Sequence, residues 1–198
     1  MLRFSFRPAF SVRGRSFFGL RGWDGAPTHA MVVHFPIAAY VLAAVLDIVS
    51  EIGRGQPWGH DAFVAAVWVM AGGFVGSLAA ATTGVLDWLT ADRGSQVGRT
   101  ANAHGLVMVI TTVLVIVDLV IAFGRYGSPS SGIGLMLLTI LIAVLVAAGA
   151  GLGGALVYDY GFRVRNSTST PEWEPSDEDR LADGTVVPRR GGGRQTAG

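Results

Sequence analysis

Residues 133–158 read IGLMLLTILIAVLVAAGAGLGGALVY, a run without one charged side chain. A helix needs roughly 20 mostly apolar residues to cross about 30 Å of hydrocarbon, and this run is long enough. Three more segments qualify, at about 30–49, 62–89 and 101–123. Each is continuously apolar rather than alternating, which argues against a closed barrel. The connectors, 50–61, 90–100 and 124–132, are short, so neighbouring helices should run antiparallel. The fold expected is an all-α membrane protein, an up-down-up-down bundle of four transmembrane helices. Composition agrees, with 51% hydrophobic and only 15% charged residues, where a soluble domain carries about a quarter charged.

Arginine placement gives the orientation. Arg3, Arg7, Arg13, Arg15 and Arg21 precede the first span, Arg93 and Arg99 lie in the middle connector, and Arg163 and Arg165 follow the fourth. The other two connectors hold only Arg54 and Arg125. Positive residues stay inside, so both termini are expected to be cytoplasmic. Trp58, Trp88, Tyr126, Tyr158 and Tyr160 fall at span ends, as an aromatic belt would. Residues 1–28 interleave Arg with Phe4, Phe6, Phe10, Phe17, Phe18 and Trp23. They read either as a cationic interfacial strip or as a disordered basic leader, and not as a cleavable signal, since no apolar core precedes Pro27. The transmembrane domain is set at 29–163. The tail, 164–198, is Ser/Thr/Pro-rich, then acidic, then Gly/Arg-rich, a composition expected to be disordered. The chain has no cysteine, which excludes disulfides, thiolate metal ligands and an iron–sulfur cluster within it. The expected partner is the lipid bilayer, not nucleic acid.

Helices in lipid associate by close backbone approach. Gly73, Gly76, Ala80, Thr83 and Asp87 recur at three- and four-residue steps on the second span, and Gly149, Gly151, Gly153 and Gly154 crowd the fourth. These faces suit packing inside the bundle or between copies in a homo-oligomer.

Ionisable residues inside a span are costly and are functional suspects. His34 lies about four residues into the first span and His104 about three into the third, at depths of roughly 6 and 5 Å. Antiparallel order puts both imidazoles in one layer, with Asp87 and Asp159 near it. His104, Thr111 and Asp118 are spaced by seven, on one stripe within about 40°. Asp118 then approaches the level of Asp47. His29 is about 140° around the helix from His34 and forms no metal pair with it. His60 reads as a solvated connector residue. Pro36 frees the carbonyl of Val32 beside His34.

Three readings of this layer compete. His34 and His104 would serve as axial ligands of a haem b, with Asp87 supporting them and small residues making room. Alternatively, Asp47, Thr111 and Asp118 would line the proton pathway of a small proton- or ion-coupled transporter. Otherwise the layer is a structural polar cluster of an assembly module. No nucleophile–base triad and no His-Glu-x-x-His pattern points to an enzyme.

Several stretches together resemble one family. They are His29-Ala-Met-Val-Val-His34-Phe35-Pro36-Ile37, Gly84-Val-Leu-Asp87-Trp88, Ala103-His104 and Gly154-Ala-Leu-Val-Tyr158-Asp-Tyr-Gly161. In this order, over about residues 28–163, they are similar to the bacterial membrane family called domain of unknown function 2231. The resemblance implies a plasma (inner) membrane location and makes His34, Asp87 and His104 the family's signature layer. Some relatives join such a unit to a Rieske iron–sulfur domain, implying membrane redox chemistry. Without cysteine, this chain would need haem or a separate redox protein, serving as a membrane anchor or subunit in electron transfer.

Overall fold

The computed structural model describes residues 10–12, 15–164, 178–180 and 186–188. The chain divides into two units, Met1–Val164 and Arg165–Gly198. In the second, β5 (Glu178–Arg180) pairs antiparallel with β6 (Val186–Pro188). The disorder expected of 164–198 otherwise falls outside the described residues, as does the reading of 1–9.

The first unit opens with short antiparallel strands in sequential order: β1 (Phe10–Val12), β2 (Arg15–Phe17), β3 (Gly22–Trp23) and β4 (Ala26–Pro27). A 3-10 turn, Gly19–Arg21, links β2 to β3. Gly22 has a φ of +81°, and a Cβ there would meet the Ala26 carbonyl and the Thr28 amide at 2.7 Å. Only glycine takes that conformation without strain. The segment expected as an interfacial strip or a leader is thus folded back in tight turns over Arg15–Pro27.

The helices follow: α1 (Thr28–Val32), α2 (His34–Ile52), α3 (Pro57–Trp88), α4 (Gln96–Gly124) and α5 (Ile133–Tyr158). Val33 keeps helical angles, and its N–H reaches the His29 carbonyl while its own carbonyl accepts from Ile37. Hence α1 and α2 form one rod, interrupted where Pro36 supplies no N–H to Val32. Counting that rod once, four helices are long and apolar enough to cross a membrane.

Helix starts differ from the hydropathy edges for local reasons. α3 begins at Pro57, five residues before its apolar run, because proline suits the first helical position. A tight turn at 53–56 allows this: Gly59 sits on Gly53, and a Cβ on Gly59 would collide with the Gly53 carbonyl. α4 begins at Gln96 because the Ser95 hydroxyl caps it, accepting from Gly98 N at 3.0 Å, one of the orphan amides of a first turn.

α2 packs chiefly on α3, α4 on α5, and α5 also on α2. Tyr40, Ala43, Met70, Val115, Ile142 and Val146 form the central core, while Val75, Leu106, Val109, Val120 and Val144 lie exposed around it, the pattern of a helix surface meant for lipid. Gly73 allows the closest α2–α3 approach, since a Cβ there would lie 2.7 Å from that of Ala39 and 2.9 Å from the Tyr40 ring. The small residues of the second span therefore serve packing within the chain.

Candidate functional site

The start of the first rod, the end of α3, the start of α4 and the end of α5 meet around two imidazoles. They are His29 and His104, with ring centroids 6.1 Å apart and planes at 80°. His29 Nδ1 lies 2.8 Å from the Ala80 carbonyl on α3, and His104 Nδ1 lies 2.8 Å from the Gly149 carbonyl on α5. A carbonyl only accepts, so each Nδ1 carries the proton and donates it. When a ring is neutral, its lone pair is then on Nε2. Glycine backbones seat the rings: a Cβ on Gly84 would come within 2.8 Å of His29, and one on Gly153 within 3.3 Å of His104. The room expected for a macrocycle at Gly153 is thus taken up by an imidazole.

His34 is placed elsewhere. It is exposed, and its Nδ1 bonds the Met31 carbonyl at 3.1 Å on its own helix. The expected facing of His34 and His104 is not what the structure brings together; His29 takes that position. The reason is helical phase. Buried Pro36, Tyr40, Ala43, Asp47 and Ser50 mark the inward stripe of α2. Continued backward, eleven residues from Tyr40 to His29 is about 20° off the stripe, and six to His34 about 120° off.

Asp87, expected beside the histidines, instead closes an ion cluster. Arg163 Nε donates to Asp87 Oδ1 at 3.0 Å, and Arg21 Nε lies 3.5 Å from the same oxygen. Arg163 also reaches the Arg21 carbonyl at 3.3 Å, and Arg21 the Thr90 hydroxyl at 3.3 Å, which in turn donates to the Asp87 carbonyl at 2.6 Å. Arg21 is 5% exposed. Burial first, then the neighbouring Arg163, pushes its pKa below the ordinary guanidinium value, with Asp87 opposing both. Arg163 takes a left-handed φ of +63°, costly for a residue with a Cβ. The cluster pins the chain before the first span and the chain after the fourth onto the end of α3. Asp159 is exposed.

Farther along the helices, Asp47 and Asp118 are each 2% exposed and line one cleft with Phe63, Met70, Leu135 and Thr139. Thr111 is fully buried and donates to the Val107 carbonyl at 2.8 Å. The stripe His104, Thr111, Asp118 faces inward. His60 is no free connector residue: it lies in α3 and its Nδ1 is 2.8 Å from the Ser128 carbonyl. Among the described residues, no three or more His, Asp or Glu side chains converge as a metal-binding group.

These features define a class: an integral membrane protein of four apolar helices with buried ionisable residues. Residues 25–166 match the family described as "Predicted membrane protein (DUF2231)", and the chain belongs to that family. No curated protein and no solved structure matches it.

Proposed function

We propose that this protein is a non-enzymatic membrane subunit for electron transfer that binds a haem b through His29 and His104, whose rings would part to admit the macrocycle. The observation that carries the reading is the imidazole pair itself. The two rings come from different helices at one depth, with centroids 6.1 Å apart, which brings a nitrogen of each within reach of one iron. Ligating histidines characteristically donate their other N–H to a carbonyl or carboxylate, and both Nδ1 atoms already do so. That bond fixes the tautomer, holds each ring against rotation, and makes Nε2 more basic. When bound, the haem iron supplies a one-electron couple; the chain supplies orientation, a low-dielectric shell and the charge around it. The net positive Arg21–Asp87–Arg163 cluster lies one turn along α3 from Gly84, where it would favour the reduced, less positive state and raise the potential. We read the bundle as up-down-up-down in a bacterial plasma membrane with both termini cytoplasmic, on the arginine distribution. A separate redox protein would then be the electron partner.

The test is an absorbance spectrum of protein purified from haem-replete membranes. A Soret band that moves on reduction, lost in His104→Ala, is expected. A colourless wild-type protein under those conditions overturns the proposal.

A further inference from the structure

We propose that Asp47 and Asp118 form a proton-binding site in the bundle interior, whether or not a haem is bound. The two side chains come from α2 and α4 and face one cleft. Asp47 Oδ1 and Asp118 Oδ1 are both buried and, among the described residues, neither accepts a well-formed hydrogen bond, although Thr139 and Ser131 lie beside the Asp47 carboxyl. A carboxylate oxygen buried in that state has lost its water without a replacement, at a cost of several kcal/mol.

Three occupants would relieve that cost, and the cleft selects among them. It is narrow and lined mostly by apolar side chains, which disfavours a bridging water. Sodium or calcium needs several oxygen ligands around it, six to eight for calcium; the cleft offers two carboxyls and Thr139 among apolar side chains. A proton needs no volume. One proton held by two neighbouring carboxyls also removes the repulsion that two like charges would suffer in a medium of low dielectric. The Thr139 hydroxyl donates to Met136 at 2.9 Å, leaving its oxygen lone pairs as an acceptor for a carboxyl proton.

Infrared spectroscopy of the full chain in lipid reads the site directly. At neutral pH, the wild type should show the carbonyl stretch of a protonated, buried carboxyl, shifted by deuterium exchange. Asp47→Asn/Asp118→Asn should lose it while keeping its helical circular dichroism. If the double variant does not fold, each single Asn variant must shift or remove the band. A wild type without the band, or a band unchanged by the Asn substitutions, overturns the site.

Discussion

Replacing Asp87 with asparagine keeps the shape of the side chain and deletes its charge. Two guanidinium groups, with side chains 5% and 16% exposed, would then lose the carboxylate that joins them. Breaking a buried pair by removing one partner costs about 3–5 kcal/mol. The cluster sits at the end of α3, and both arginines keep neutral hydrogen bonds. The lower bound, about 3 kcal/mol, is therefore the expected loss. For a chain of 198 residues, each kcal/mol moves Tm by about 2–4 °C, so Asp87→Asn should melt roughly 6–12 °C lower. Circular dichroism in detergent reads this. Arg163→Ala should cost less, since Arg21 keeps its partner, and Arg163→Gly should regain about 1 kcal/mol over alanine by relieving the left-handed φ. An Asp87→Asn protein melting with the wild type refutes the cluster's role in holding the two flanks.

Four further outcomes follow from packing, capping and the proton site. Gly59→Ala drives a Cβ into the Gly53 carbonyl and should cost about 2 kcal/mol or more. Gly72→Ala, with open space at its Cβ, should be neutral or stabilise by up to about 1 kcal/mol; paired melting curves check both. Ser95→Ala removes the cap of α4 and should cost about 1 kcal/mol, read the same way. Asp118→Asn should alter the buried-carboxyl infrared band with little change in helix content, since the asparagine fills the same space.

The four apolar helices were legible in the chain because lipid demands long uncharged runs; the starts of the second and third moved most, to Pro57 and Gln96, where proline placement and a cap outweigh hydropathy. The site was half legible. Depth along a helix follows from residue count, which put histidine, Asp87 and His104 in one layer. Direction around the helix was misjudged for the first span: Tyr40 and Asp47 carry the inward stripe back to His29, and only that phase separates it from His34. The partners of Asp87 were not legible, because Arg21 and Arg163 reach it through the turns Gly19–Trp23 and Tyr160–Val164, whose geometry no periodicity encodes. The Glu51–Ser131 contact likewise joins residues 80 positions apart across two connectors.

The central claim separates most sharply in one matched set of reduced-minus-oxidised absorbance spectra, taken on wild type, His29→Ala and His34→Ala at equal protein. A haem signal in the wild type, lost in His29→Ala and retained in His34→Ala, is the predicted result. A signal that survives without His29, or that vanishes only without His34, would contradict the pairing on which the account stands.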